Sequence, residues 1–251
     1  MSVHRRCAQL AAWGSAWLAD SAAFDEVLDA VAGRYRHVGG PGFQAGGVHP
    51  VGLALADWKR AGSSALRLAL PVPGDVRGLA GPPGFRDAAL LAGQAVFGAG
   101  FGLTAMPGPE TPSSAGRELV WHRGPVDELP PDPISTADAE HELAEAIRET
   151  ASAFARRGIT SWLADIAPAL SSARRAGERL HLPASHPPRA VRLIAQAERL
   201  TAVLVVVDRD DTGQLTAAAH AEREQLLAPL RLAVRRALLA GYNAPVEVAA
   251  G

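Results

Sequence analysis

Two residues with opposite charge form the first candidate site of this sequence. Asp75 and Arg77 stand in the segment PVPGDVR (71–77), directly after a predicted strand at 65–72. Loops that leave the carboxyl end of a strand commonly bind ligands, so Asp75 would act as a base or anchor and Arg77 as an anion clamp. Alternatively, Asp75 orders its own turn and Arg77 pairs with a nearby carboxylate, because Pro-Gly-Asp is typical of turns.

A second candidate is a stripe of acidic residues and a histidine on a predicted helix. Its members are Asp138, His141, Glu142 and Glu145. Their spacing of three, four and seven residues places them on one helical face. A di-metal site in a bundle needs a Glu-x-x-His pair on each of two helices, and only one comparable element is present, with His220 and Glu224 as the nearest complement. The pattern therefore favours a solvated face and predicts no metal or cofactor, although His141 and Glu142 remain candidate acid-base residues.

The third candidate is a group of arginines in the C-terminal half. If the predicted helices alternate in direction, these arginines gather at the end where the first bundle helix begins. The group consists of Arg174, Arg175, Arg179, Arg189, Arg192, Arg235 and Arg236. That end also carries acidic residues of the first helix, so one interpretation is mutual neutralisation. The other is an anion site, with Arg175, Arg189, Arg192 and Arg235 as its ligand-binding residues.

Composition excludes several common classes of protein. The 251 residues carry a formal net charge of −1, which argues against a globally basic nucleic-acid binder or a polybasic membrane protein. Cys7 is the single cysteine, so an intramolecular disulfide and a cysteine zinc cage are excluded for one chain. The sequence contains no Gly-x-Ser-x-Gly, His-Glu-x-x-His, Cys-x-x-Cys or Walker A motif. We therefore predict a cytoplasmic protein that binds neither nucleic acid nor membranes.

The elements that position these candidates fall into two parts. In residues 1–131, periodic apolar residues predict four helices, the last over 85–97, and alternation predicts about three strands at 65–72, 101–106 and 118–122. A proline-rich segment at 124–133 marks the predicted domain boundary, because prolines at this density neither continue a helix nor donate to a sheet.

Residues 132–251 are predicted to form a four-helix bundle with a short flexible tail from Ala244. Its first helix begins after the Ser135/Asp138 capping pair, and its second carries Trp162 and Ala173. The third continues through the β-branched residues 205–207, and the fourth follows Thr216. Short connections between four helices favour an up-down bundle. The predicted fold class is therefore α+β, a small helix-and-sheet unit followed by the bundle.

Four segments resemble an actinobacterial protein family of unknown function. They are LRLALPVPGDVRGLAGPPGF (66–85), AEHELAEAIRETA (139–151), RAVRLIAQAERLTAVL (189–204) and LRLAVRRALLAGYNA (230–244). The resemblance covers most of the chain and implies a cytoplasmic location. It implies no activity.

A full core without a catalytic motif favours a non-catalytic cytoplasmic protein. We expect it to bind a partner protein or a small anionic ligand at a cleft between the two parts. Two alternatives stay open. One is an enzyme whose site combines the 71–84 loop with the first bundle helix, and the other is a bundle metalloprotein.

Overall fold

The computed structural model describes residues 5–33, 35–43, 49–109, 118–128, 134–156, 181–209 and 217–248. The chain divides into two compact units. Unit 1 comprises Met1–Pro133, Leu182–His186 and Tyr242–Gly251, and unit 2 comprises Ile134–His181 and Pro187–Gly241. Two short segments from the later part of the sequence thus belong to the unit formed by its first half. The predicted boundary near 131 falls outside the described residues.

Unit 1 is built on a five-stranded sheet with the strand order β1-β5-β4-β3-β2. The strands are β1 (Arg36–Gly39), β2 (Arg67–Ala69), β3 (Ala95–Gly98), β4 (Phe101–Pro107) and β5 (Glu118–Pro125). The pair β1–β5 is parallel and the other three pairs are antiparallel. The α+β class is confirmed, but the predicted count of about three strands is wrong.

Both additional strands lack the signal that identifies a strand in sequence. β1 reads RHVG and shows no alternation of apolar and polar residues. β3 reads AVFG and lies entirely buried, so its uninterrupted apolar run continued the periodicity of the helix before it. That helix ends at Ala92, because Gly93 adopts the left-handed conformation at φ 68° and allows the chain to turn into β3.

Helices cover both faces of the sheet. The helices of this unit are α1 (Arg6–Leu18), α2 (Phe24–Ala32), α3 (Pro50–Arg60) and α4 (Pro83–Ala92). The buried side chain of Gln94 accepts from the Cys7 amide at 3.1 Å and so caps the start of α1. Trp58 of α3 stacks on Phe101 with ring centroids 4.7 Å apart. On the opposite face, Phe85 of α4 packs against β3.

Two side chains pair with the outer edge of β2 and its approach. The Ser15 hydroxyl accepts from the Leu66 amide at 2.8 Å and donates to the Leu66 carbonyl at 3.3 Å. Two residues further along the strand, the Asn243 carboxamide accepts from the Leu68 amide at 2.7 Å and donates to its carbonyl at 3.1 Å. Each side chain therefore imitates the hydrogen-bonding pattern of a neighbouring strand.

The described residues of unit 2 are almost entirely helical. Three helices carry it: α5 (Thr136–Arg156), α6 (Pro188–Arg209) and α7 (Ala217–Val248), the last of which enters unit 1 at Tyr242. The core contains Leu143, Phe154, Leu193, Leu204 and Val234. The second helix of the predicted four-helix bundle falls outside the described residues, so the described unit has three helices in place of four.

The helical prediction holds at the β-branched segment of α6 and extends further than expected in α7. Residues 205–207 continue the helix through Val207, which lies in the core. Helix α7 continues past Ala244, where a flexible tail was predicted, and ends at Val248. Burial of Tyr242, Asn243 and Ala244 explains this continuation. Within the described residues, no helix is both long and apolar enough to cross a bilayer.

Candidate functional site

The Asp75 loop folds into a tight turn that pairs the two predicted site residues with each other. Val72 and Asp75 exchange two backbone hydrogen bonds, at 3.0 and 2.9 Å. The Asp75 carboxylate accepts from the Arg77 amide at 3.2 Å and from two guanidinium nitrogens at 2.8 and 2.6 Å. Both charged groups are thus engaged in one bidentate ion pair. As the structure stands, a ligand at Asp75 or Arg77 would compete with that pair.

The acidic stripe of α5 faces solvent and a neighbouring helix. His141 is exposed, and Glu142 pairs with Arg236 at 3.0 Å. Ser135 caps the helix by accepting from the Asp138 amide at 3.1 Å, as its spacing predicted. The side chain of His220 falls outside the described residues. In the described part of the chain, no three His, Cys, Asp or Glu residues stand close enough to share a metal ion.

The bundle arginines divide between paired and unpaired positions. Arg189 pairs with Glu140 of α5 at 2.6 Å, and this carboxylate raises the pKa of the Arg189 guanidinium. Arg192 is exposed and pairs with none of the described residues. Arg235 is half-buried. Arg174, Arg175 and Arg179 fall outside the described residues.

The candidate acid-base residues of the enzyme alternative belong to different units. Asp75 lies in unit 1, and His141 and Glu142 lie in unit 2. Their convergence on one site stays a prediction, as does the cleft between the two parts.

A pocket within unit 2 lies where the second half of α5 meets the first half of α7. Its volume is about 520 Å³, within the range of about 300–1,000 Å³ typical of small-molecule sites. The polar lining consists of Arg148, Glu149, Thr150, Ser152, Arg156 and Gln225. The apolar lining consists of Ala153, Leu226 and Pro229. A helical repeat of about four residues places Arg148, Ser152 and Arg156 along one stripe of α5.

The two pocket arginines differ in their ion pairing from several others of this unit. Arg189, Arg231 and Arg236 each pair with a carboxylate within 3.0 Å. Arg148 and Arg156 are exposed and form no ion pair with any residue that the structure describes. Glu149 likewise has no cationic partner there. Within the described part of the chain, the pocket therefore offers two guanidinium groups without an ion-pair partner, and one carboxylate, beside an apolar wall.

Sequence reasoning missed the pocket for a physical reason. Arg148 and Arg156 belong to the polar stripe of an amphipathic helix, and such a stripe is usually solvated. The concave shape depends on α7 crossing beside α5, which periodicity alone does not reveal. The sequence carried one signal of the pocket. Arg148 and Arg156 are eight residues apart, and this spacing places them on the same side of a helix.

A second polar cluster lies in unit 1 on β1 and β5. Trp121 Nε1 donates to His37 Nδ1 at 3.1 Å, so His37 carries its proton on Nε2, which faces the Ala32 carbonyl at 3.3 Å. The His49 ring stacks on His37 with centroids 4.9 Å apart. Burial, followed by the charges of His49 and Arg6, lowers the pKa of His37 to about 4. His37 is therefore a neutral structural hydrogen-bonding group at physiological pH.

On the same face of the sheet, an arginine stacks on an aromatic ring. Arg123 lies over the Phe101 ring, with its guanidinium carbon 3.6 Å from the ring centroid. Its nitrogen donates to Asp57 at 2.5 Å, and Asp57 also accepts from Arg60 at 2.6 Å. Hydrogen bonds from Arg123 and Arg60 lower the pKa of Asp57. Asp57 thus bridges two arginines, and the ion pairs and the ring stacking connect α3 to β4 and β5.

Comparisons with known proteins identify relatives along nearly the whole chain. The family model described as Rv1486c-like protein, N-terminal domain, matches residues 7–134, and the model described as its C-terminal domain matches residues 137–239. Uncharacterized protein MT1533 of Mycobacterium tuberculosis strain CDC 1551 is 30% identical over 281 residues. Uncharacterized protein Rv1486c of strain H37Rv is 31% identical over 283 residues.

A further relative comes from a second mycobacterial species. Uncharacterized protein ML1804 of Mycobacterium leprae is 28% identical over 287 residues. Each of the three alignments covers 94% of this chain and 95% of the relative. No solved structure matches the chain. The predicted resemblance to an actinobacterial family of unknown function is confirmed by these mycobacterial relatives.

Proposed function

The chain belongs to the Rv1486c-like protein family, and from this premise, which brings no assigned activity, we propose that it is a non-catalytic cytoplasmic protein that binds a small anionic ligand. The ligand occupies the pocket between α5 and α7. The observation that carries the proposal is the pair of arginines, Arg148 and Arg156, which border this pocket without a carboxylate partner among the described residues.

The chemistry of the lining matches an anion with an apolar part. Arginine presents several donors in a planar fork suited to carboxylate or phosphate groups. Thr150, Ser152 and Gln225 add hydroxyl and amide groups that orient a ligand, and Leu226 contributes an apolar contact. Glu149 disfavours ligands with negative charge on its side of the pocket, so the ligand's charge is expected to lie toward the arginines.

The same lining supports binding without turnover. Among the residues that the structure describes, this lining has no histidine, cysteine or aspartate, and Glu149 is its one carboxylate. Covalent catalysis by a hydroxyl usually requires a general base within hydrogen-bond reach, itself oriented by a third group. The pocket residues do not supply that set.

Titration calorimetry on the full chain tests the proposal with inorganic phosphate, pyrophosphate, succinate and adenosine monophosphate as probes. We expect at least one probe to bind. Arg148→Gln and Arg156→Gln should each weaken binding about tenfold or more, because each removes a charge-assisted contact. Arg192→Gln, which neutralises an exposed arginine outside the pocket, should leave the affinity unchanged.

A steric pair of variants separates the pocket from general charge effects. Ser152→Trp fills the pocket and should abolish binding, whereas Ala151→Trp places the same bulk at the adjacent exposed position outside the lining. Absence of binding by every probe would overturn the proposal. Equal loss in Arg192→Gln or Ala151→Trp would also overturn it. Conversion of a bound probe into product would replace the binding function with an enzyme.

A further inference from the structure

The outer edge of β1 differs from the outer edge of β2. Gly40 donates its amide to the Trp121 carbonyl on β5 at 2.8 Å. Because successive residues of a strand point their backbone groups to opposite sides, Val38 also faces β5, whereas His37 and Gly39 face away from it. No described residue pairs with the outward amide and carbonyl groups of His37 and Gly39.

At the other end of the sheet, the described outward amide and carbonyl groups of β2 all have partners. The outward backbone groups of Leu66 and Leu68 are all satisfied by Ser15 and Asn243. An unpaired strand edge is a template for another strand, and proteins usually protect it. Among the described residues, this sheet therefore has one protected edge, at β2, and one unpaired edge, at β1.

We infer that the open edge of β1 pairs with β1 of a second copy of this chain, so that two sheets join into one of ten strands. The pairing is antiparallel and centred on Val38. In this register, His37 and Gly39 of one copy exchange backbone hydrogen bonds with Gly39 and His37 of the other. Val38 stands opposite Val38, in a pair without hydrogen bonds between its two members.

The side chains of β1 suit pairing with an identical strand. Val38 is half-buried, so its contact with the second Val38 removes further apolar surface from water. Arg36 stands opposite Gly40, which has no side chain, and Arg36 already pairs with Glu118 of its own copy at 2.9 Å. Like charges are therefore not placed directly across the interface, where they would be destabilising.

The two edges together predict a closed assembly. A two-fold axis through β1 uses the same surface on both copies. The joined sheet then ends at β2 on each side, where Ser15 and Asn243 leave no free backbone group for a third copy. We therefore expect a dimer and no larger species.

Light scattering coupled to size-exclusion chromatography tests the inference on the full chain over a concentration series. The expected mass is twice the 26.1 kDa of one chain. Val38→Lys should reduce the mass to that of one chain, because it places two ammonium groups opposite each other. Val120→Lys is the matched control, since Val120 neighbours Val38 on β5, one strand in from the edge. Circular dichroism confirms that each variant is folded.

A cysteine variant tests the register directly. In an antiparallel pair without hydrogen bonds, the two α-carbons lie about 4.5 Å apart, within reach of a disulfide. Val38→Cys should form a covalent dimer under mild oxidation, while Val120→Cys should not. Cys7 is fully buried and contributes no background. A wild-type mass of one chain at every concentration, or equal cross-linking of the two cysteine variants, would overturn the inference.

Discussion

At the residue scale, the glycines of β4 and β5 shape the packing of unit 1 as much as its large side chains do. The Phe85 ring rests against Gly124, and a β-carbon added at Gly124 would overlap that ring. Phe97 occupies the corresponding space beside Gly102. The two glycines therefore create the depression that receives the aromatic rings of α4 and β3. In the sequence, these glycines indicate only a weakened strand, because the space that they provide is needed only once α4 has packed on the sheet.

Gly124→Ala should lower the free energy of unfolding by about 1–3 kcal/mol, because the new methyl group displaces the Phe85 ring from its packed position. Gly84→Ala is the matched control. Gly84 lies in the first turn of α4, and an added β-carbon there meets nothing within 4 Å. It should be neutral or stabilising by about 0.5–1 kcal/mol through helix propensity. Urea denaturation measures both, and equal stability of Gly124→Ala and the wild type would contradict the expectation.

His37 predicts a pH dependence with a defined sign. Its pKa is lowered to about 4 in the folded state, so between pH 6.5 and 4 the unfolded chain binds the additional proton. The His37 contribution to stability is therefore complete above pH 6.5 and is lost as the pH falls toward 4. The loss should be below about 3 kcal/mol, since solvent reaches part of the ring.

The variant His37→Asn should flatten this profile. Its amide oxygen can accept from Trp121 in place of Nδ1, and it does not titrate. The measurement is the free energy of unfolding at pH 7 and at pH 4.5. His141→Asn, at an exposed position of α5, should retain the wild-type slope. If the free energy of unfolding of His37→Asn depends on pH as strongly as that of the wild type, the pH dependence comes from His49 or His122 instead. Burial also lowers the pKa values of these two histidines.

At the scale of elements, the sequence predicted the helices and strands whose own residues show a clear capping or periodic pattern. Helix α5 begins at the Ser135 capping pair, and β4 and β5 lie where alternation or an apolar run marked them. β1 and β3 escaped detection because four-residue strands are stabilised by their neighbours and carry little periodicity of their own. The position of β2 was predicted, but its protection by Ser15 and Asn243 joins residues too distant for any local pattern.

Asn243→Ala tests the contribution of this protection. The change leaves the buried amide and carbonyl of Leu68 without partners, and we expect the free energy of unfolding to fall by about 2–4 kcal/mol. Gln225→Ala, at an exposed position of the same helix, should change it by less than about 0.5 kcal/mol. Equal effects of the two substitutions in chemical denaturation would show that Asn243 contributes no more than helix propensity.

At the scale of the whole molecule, the division into units is not a single cut in the sequence. A proline-rich segment identified two parts, but Leu182–His186 and Tyr242–Gly251 return to unit 1. Composition locates where contiguous domains separate, and it carries no signal for short segments that rejoin an earlier one. The same limit applies to the pocket, because its walls come from helices separated by about 70 residues of chain.

Truncation tests the role of the rejoining C-terminal segment. The chain 1–241 lacks Asn243 and exposes the edge of β2, so it should form species larger than the full chain does, in a concentration-dependent manner. The chain 1–248 keeps Asn243 and should match the full chain. Light scattering distinguishes the two. Identical masses for 1–241 and 1–248 would contradict the assignment of edge protection to this segment.

The link between Asn243 and Leu68 also sets an order of events during synthesis. The two residues are 175 positions apart, so Asn243 is synthesised well after Leu68. At about 5–20 residues per second, the edge of β2 waits about 9–35 s for its partner. Through that interval the nascent sheet presents an incomplete edge to other nascent chains and to chaperones. The first half of the chain therefore finishes folding only after the helical segment that carries Asn243 has been synthesised.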